Sequence, residues 1–125
     1  MIRLLIVDDH TVVRQGLSML FGTVDDIEVV GTAEDGIFAL NQVSALTPDV
    51  VLMDIGMPRL DGIEATRQIV TADPDARIVI LTGDTDQAMV QRAVEAGALS
   101  YLLKDAEPEA LFAAVRDAYI RAGRL

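Results

Sequence analysis

Five short apolar runs alternate with segments of helical periodicity along this chain of 125 residues. The predicted strands cover 3–7, 28–31, 50–54, 77–81 and 100–103. The predicted helices cover 11–21, 35–47, 58–70, 86–96 and 108–120. Gly97 is placed as the left-handed residue that ends the fourth helix. Because right-handed crossovers leave few other arrangements, this alternation favours a parallel sheet with helices on both faces.

The predicted fold is therefore a single α/β domain over residues 1–125, doubly wound and flavodoxin-like, with strand order 2-1-3-4-5. The chain has no cysteine, which excludes disulfides and thiolate metal sites and fits a cytoplasmic protein. No apolar run approaches the roughly 18 residues that would cross a bilayer. A net charge of -10 argues against direct binding of nucleic acid by this domain. The single histidine, His10, begins a helix, where a lone histidine is typically a surface residue and not a ligand.

Polar side chains follow four of the five predicted strands. Asp8 and Asp9 come after the first strand, Asp54 ends the third, and Thr82 and Lys104 follow the fourth and fifth. These strands are neighbours in the predicted order, so we expect the five side chains to meet at one edge of the sheet. The apolar strand that ends on Asp54 makes this residue the main candidate for the centre of a site.

Three carboxylates at this edge would repel one another by about 4 kcal/mol per pair at an effective dielectric constant near 20, and one lysine does not offset that repulsion. Oxygen ligands without cysteine or clustered histidine favour a hard cation, Mg²⁺ or Mn²⁺, that keeps several waters. A lysine, a hydroxyl and a hydrated cation around one carboxylate are the groups that stabilise a transferring phosphoryl. The sequence therefore predicts phosphoryl transfer to an aspartate.

Each of these residues also has a simpler interpretation when taken alone. Asp8 or Asp9 could cap the first helix, and Asp54 could belong to a turn. Thr82 could bridge a turn, and Lys104 could be a solvated lysine. Only the functional interpretation explains why all five lie at strand ends.

Five ordered motifs resemble those of the receiver domain of two-component response regulators. They cover residues 5–10, 49–58 with 61–62, 81–82, 97–98 and 101–105. The resemblance implies that Asp54 accepts a phosphoryl group from the phosphohistidine of a sensor histidine kinase. It implies that Asp8 and Asp9 hold Mg²⁺ together with Asp54 and the backbone carbonyl of Gly56, and that Lys104 pairs with the phosphoryl oxygens.

The same resemblance implies that Thr82 and Tyr101 form a switch pair, in which the hydroxyl moves toward the phosphoryl group and the ring turns inward behind it. Gly56 and Gly83 depart from many receivers because they carry no side chain beside the site. We expect both to widen access to the phosphoryl group and so to affect the lifetime of the phosphorylated state.

Residues 8–10 and 101–105 are similar to the subfamily of nitrate-response and quorum-sensing regulators, in which a helix-turn-helix DNA-binding domain follows the receiver. That domain is not in this sequence, and we expect a receiver excised from a longer transcriptional regulator. Phe112 and Tyr119 widen the apolar arc of the last helix. They indicate either deeper packing or a surface for an effector domain or for homodimerisation that strengthens on phosphorylation.

Three alternatives remain open from the sequence. A stand-alone receiver, or one that works without phosphorylation, could carry every motif. A haloacid-dehalogenase-type phosphatase would also use an aspartate at a strand end, but its second aspartate lies two residues after the first, whereas Asp8 and Asp9 are adjacent. A flavodoxin-like flavin binder needs a first loop rich in Ser, Thr and Gly, and two aspartates there would repel a phosphate.

Overall fold

A computed structural model describes residues 1–57, 59–83 and 87–121. Five parallel strands form one sheet in the order β2-β1-β3-β4-β5, which confirms the predicted fold class. The strands are β1 Ile2–Val7, β2 Ile27–Ala33, β3 Val50–Asp54, β4 Ile78–Thr82 and β5 Ser100–Leu103. The helices are α1 Thr11–Phe21, α2 Gly36–Leu46, α3 Gly62–Ala72, α4 Gln87–Ala96 and α5 Pro108–Ile120.

The two faces of the sheet carry separate apolar clusters. Successive side chains of a strand point to opposite faces, so Leu5 and Val7 join one cluster while Leu4 and Ile6 join the other. Helices α2, α3 and α4 cover the first face, and α1 and α5 cover the second. All five residues of β3 are buried, as expected for a central strand covered on both sides.

The register of the sheet aligns the carboxyl ends of the strands. Val7 pairs with Met53, so Asp8 and Asp54 follow paired residues of neighbouring strands. Thr82 pairs with Leu103, and the Lys104 backbone N–H donates to the Thr82 carbonyl at 2.9 Å. The four strand ends therefore open onto one edge.

The prediction that the third helix begins at Pro58 is wrong. Residues 59–61 are not helical, and the helix begins at Gly62, with Asp61 as its N-cap. The Asp61 carboxylate accepts from the Glu64 N–H at 2.9 Å, which satisfies one of the donors that a helix start leaves free. Pro58 itself lies outside the described residues.

The remaining element bounds agree with the predicted ones to within two residues, and those of α1, β3, β5 and α5 are identical to them. Gly97 has a φ of +112° directly after α4, which confirms its predicted left-handed conformation. The predicted start of α4 at Asp86 lies outside the described residues. Among the described helices, none combines the length and the apolar character that crossing a membrane requires.

Candidate functional site

Asp54 lies at the end of β3 and is only 2% exposed. Its backbone is fixed from two sides. The next N–H, that of Ile55, donates to the Leu81 carbonyl at 3.2 Å. Gly62 packs so closely on this strand that a Cβ there would lie 2.0 Å from the Asp54 carbonyl oxygen. Only glycine fits that approach, so the start of α3 packs directly on the backbone of Asp54.

Lys104 and Asp8 are the charged neighbours of Asp54. The Lys104 Nζ lies 3.0 Å from Asp54 Oδ1 and 3.2 Å from Asp8 Oδ2. The Asp8 side chain is fully buried, whereas that of Lys104 is 29% exposed. One ammonium therefore serves two buried carboxylates, as the strand-end pattern predicted.

The electrostatic balance at Asp54 is unfavourable to its charge. Burial raises the pKa of Asp54, and the Asp8 carboxylate raises it further, while hydrogen bonds from Lys104 and from the Gly56 backbone lower it. Burial would lower the pKa of Lys104, but the hydrogen bond and charge of Asp54, together with the charge of Asp8, outweigh it and leave this pKa raised. The site therefore stabilises the charged form of Lys104, and its three carboxylates outnumber that one ammonium.

A divalent cation fits this excess. Asp8 Oδ2, Asp9 Oδ1 and Asp54 Oδ2 are buried and accept no hydrogen bond from the described residues. Asp8 Oδ2 is within ion-pair distance of Lys104 but not in hydrogen-bonding geometry. Unsatisfied buried oxygens are costly, and a metal ion would satisfy them. Together with His10, the three aspartates each offer one ligand atom within 4.8 Å of the others, so the cluster could hold a metal ion.

His10 lies closer to the cluster than the sequence indicated. Its side chain is 63% exposed, in agreement with a surface residue, yet Nδ1 lies 3.2 Å from Asp8 Oδ1 and 3.1 Å from Asp9 Oδ1. His10 is also the N-cap residue of α1, without a capping bond from its side chain. The capping alternative for Asp8 and Asp9 therefore does not apply at that position. Asp8 Oδ1 instead accepts from the His10 backbone N–H at 2.8 Å.

Thr82 and Tyr101 occupy different environments. Thr82 is the last residue of β4 and is 6% exposed. Tyr101 lies in β5 opposite Ile80, and its side chain is 44% exposed. The ring therefore faces outward in this structure, and the inward state of the predicted switch pair is not the state described.

Gly56 and Gly83 are both exposed, and a Cβ at either position would meet none of the described residues within 4 Å. The space beside the strand ends is therefore open at both residues. Neither glycine is therefore required by close packing against the described residues, and the wider access to the phosphoryl group stays a prediction.

A second layer of contacts holds the loop between β3 and α3, and the sequence did not reveal it. The Arg59 guanidinium pairs with the buried Asp35 carboxylate, and the Gly36 N–H donates to the Leu60 carbonyl at 3.2 Å. The hydrogen bond from the Phe38 N–H, together with Arg59, lowers the pKa of Asp35. Asp35 was identifiable as a helix start, but its partner comes from a distant loop.

Phe112 and Tyr119 separate into different roles. Phe112 is 9% exposed and packs edge-on against Phe21, with ring centroids 5.5 Å apart. For this residue the packing alternative describes the structure, and it offers little surface to a partner. Tyr119 is 41% exposed, and the Arg77 guanidinium lies 6.0 Å from the centre of its ring.

Residues 4–116 match the family model of the response regulator receiver domain. The chain belongs to this family. The match covers the whole strand-end cluster, and it favours a receiver over the phosphatase and flavin-binding alternatives. Receivers are signalling domains of two-component response regulators.

Three similar proteins refine this assignment. The chain is 50% identical over 109 residues to the uncharacterized transcriptional regulatory protein YhcZ of Bacillus subtilis, covering 87% of the chain and 51% of YhcZ. It superimposes on the receiver domain of a putative response regulator NarL from Mycobacterium tuberculosis with a TM-score of 0.91 at 32% identity, covering 96% and 98% of the two chains. A LuxR-family response regulator from Aurantimonas gives a TM-score of 0.92 at 36% identity, covering 99% and 89%. The predicted subfamily is thus confirmed, and the chain spans about half the length of YhcZ.

Proposed function

We propose that this receiver is a phosphorylation-activated switch in which Asp54 accepts a phosphoryl group from a sensor histidine kinase in a Mg²⁺-dependent reaction. The observation that carries the proposal is the Asp54 carboxylate itself. One oxygen lies 3.0 Å from Lys104 Nζ, and the other is buried and accepts no hydrogen bond from the part of the chain that the structure describes. An oxygen in that state is available either to a cation or as a nucleophile.

In the proposed reaction, an Asp54 oxygen forms a bond to phosphorus while the phosphorus–nitrogen bond to the kinase imidazole breaks. Asp8, Asp9, Asp54 and the Gly56 carbonyl would hold Mg²⁺, which supplies positive charge against the phosphoryl oxygens. Lys104 already lies beside the acceptor, so its ammonium would pair with a phosphoryl oxygen without a large movement.

The readout rests on the residues around that charge. Thr82 ends a neighbouring strand, and its hydroxyl would donate to the phosphoryl group. Tyr101 would turn inward from its exposed position as Thr82 moves. Autodephosphorylation belongs to the same proposal, because the open space at Gly56 and Gly83 admits water to the acyl phosphate.

The output we propose is transcriptional regulation through a C-terminal DNA-binding domain in a longer cytoplasmic protein. The chain covers only 51% of YhcZ, whose name describes a transcriptional regulatory protein. The net charge of -10 makes a separate DNA-binding module necessary, because this domain lacks the basic surface that phosphates require. Homodimerisation on phosphorylation is part of the same proposal.

Intact-mass measurement after incubation with Mg²⁺ and acetyl phosphate tests the central step. Wild type should gain the mass of one phosphoryl group, and Asp54→Asn should gain none. Asp25→Asn is the matched control, because Asp25 is an exposed carboxylate before β2, at the opposite end of the sheet. It should behave as wild type. An unmodified wild type, or equal labelling of Asp54→Asn, would refute the proposal.

A further inference from the structure

We propose that His10 is a nitrogen ligand of the acidic cluster and that it makes the site bind Co²⁺ and Ni²⁺ much more tightly than three aspartates alone would. This inference rests on the metal site of the proposed function, and it concerns which ions that site accepts.

The two contacts of the imidazole have the spacing of adjacent metal ligands. Ligand atoms next to each other in an octahedron with bonds of about 2.1 Å are about 3.0 Å apart. His10 Nδ1 lies 3.1 Å from Asp9 Oδ1 and 3.2 Å from Asp8 Oδ1. One ion could therefore contact His10 Nδ1 together with an oxygen of either aspartate.

A hydrogen bond explains only one of these two contacts. The contact between His10 Nδ1 and Asp8 Oδ1 has hydrogen-bonding geometry. Asp9 Oδ1 is equally close, yet it is buried and accepts no hydrogen bond. This second contact is an ion pair when the imidazole is protonated, and a cation bound by Nδ1 and Asp9 Oδ1 would take the place of that proton.

The Asp8 carboxylate divides the cluster into two sides. Oδ2 faces Lys104, which also contacts Asp54. Oδ1 faces the His10 backbone N–H and the His10 ring. On the first side an ammonium compensates part of the negative charge. On the second side the His10 imidazole contacts both aspartates, and the Arg14 guanidinium donates to the Asp8 backbone carbonyl at 2.6 Å.

The chemistry of the imidazole determines which ions gain from it. Mg²⁺ prefers oxygen ligands and keeps its waters, so a nitrogen ligand adds little to its affinity. Imidazole suits later first-row ions, whose affinity for nitrogen sites rises from Mn²⁺ through Co²⁺ to Ni²⁺. His10 should therefore affect Mg²⁺ affinity little and raise Ni²⁺ affinity strongly.

The test compares dissociation constants of Mg²⁺, Co²⁺ and Ni²⁺ by equilibrium dialysis of the tag-free protein at one mildly alkaline pH. His10 is the only histidine and the chain has no cysteine, so no other imidazole or thiolate can contribute. His10→Ala should weaken Ni²⁺ and Co²⁺ binding at least about tenfold, which is the lower end of the loss from mutating even an outer-shell partner of a metal ligand. Mg²⁺ binding should change less than about twofold.

Two further measurements separate ligation from simple hydrogen bonding. His10→Gln keeps a polar side chain without the imidazole, and we expect it to behave as His10→Ala. The visible absorption of bound Co²⁺ should shift in both variants. A Ni²⁺ to Mg²⁺ affinity ratio unchanged by either variant, or restored by His10→Gln, would overturn the inference.

The outcomes also separate this inference from the proposed function. If the protein binds Mg²⁺ but its Ni²⁺ affinity does not depend on His10, the ligand role of His10 is refuted and the proposed function is not. Ni²⁺ binding that depends on His10, in a protein that does not bind Mg²⁺, would support the ligand role and refute the Mg²⁺-dependent switch.

Discussion

Replacing Lys104 with methionine should destabilise the metal-free protein by about 3 kcal/mol, the lower end of the range for removing one partner of a buried ion pair. Lys104 is the only lysine in the chain. Its Nζ contacts carboxylates at 3.0 and 3.2 Å, and at an effective dielectric constant near 20 each attraction is about 5 kcal/mol. The net loss is smaller because methionine needs no desolvation and because the lysine side chain is 29% exposed.

Urea unfolding with and without Mg²⁺ measures this effect. The variant leaves Asp8 and Asp54 buried without a cation, so bound Mg²⁺ should reduce the deficit of the variant relative to wild type. Arg67→Met is a control for removing an exposed cation, since Arg67 pairs with a half-exposed Glu64. It should change stability by less than about 1 kcal/mol.

The pH dependence of the difference between wild type and Lys104→Met follows from two raised pKa values. A raised pKa of Lys104 means that its contribution is fully present below the unfolded-state value and is lost as the pH rises through the folded-state value. At the acid end, protonation of Asp54 through its raised pKa removes a partner of the lysine. The difference should therefore be largest around neutral pH and shrink on both sides.

A metal-free difference in unfolding free energy below about 0.5 kcal/mol at neutral pH would refute the buried ion-pair reasoning, since changes that small are typical of surface substitutions.

Two further predictions concern packing and assembly. Gly62→Ala should destabilise the domain by more than about 2 kcal/mol in urea unfolding, because its Cβ would meet the Asp54 carbonyl, whereas Gly56→Ala should leave folding stability within about 0.5 kcal/mol. Equal stability of the two variants would contradict the close approach at Gly62. In sedimentation, phosphorylated protein should show a larger concentration-dependent dimer fraction than unphosphorylated protein. Tyr119→Ala should reduce the dimer fraction further, because Tyr119 is exposed and available to a partner. Identical sedimentation with and without the phosphoryl mimic beryllofluoride would contradict dimerisation on activation.

The sequence by itself determined the topology and the composition of the strand-end cluster. Apolar runs alternating with helical patterns permit few folds, and parallel strands bring their carboxyl ends to one edge. The approach of Asp8, Asp54 and Lys104 follows from that rule, because each residue directly follows or ends a strand. No long-range detail was needed to place these three together.

Contacts between segments distant in the chain were decided only by the tertiary structure. Arg59 meets Asp35 because a loop folds back over the start of α2, and neither position carries a local pattern that specifies the other. The third helix begins at Gly62, after the non-helical residues 59–61, since a capping aspartate outweighs helical periodicity there. Phe112 is buried against Phe21 from a distant helix, whereas Tyr119 on the same helix as Phe112 is exposed.

His10 shows most clearly where sequence reasoning ended. A lone histidine at a helix start is typically solvent-exposed, and the side chain is indeed 63% exposed. Its direction depends on χ angles and on the turn after Asp8, which periodicity and composition do not encode. The residue types at the strand ends therefore determined the charge of the site. The backbone turn before α1 determined that His10 Nδ1 lies beside the Asp8 and Asp9 carboxylates.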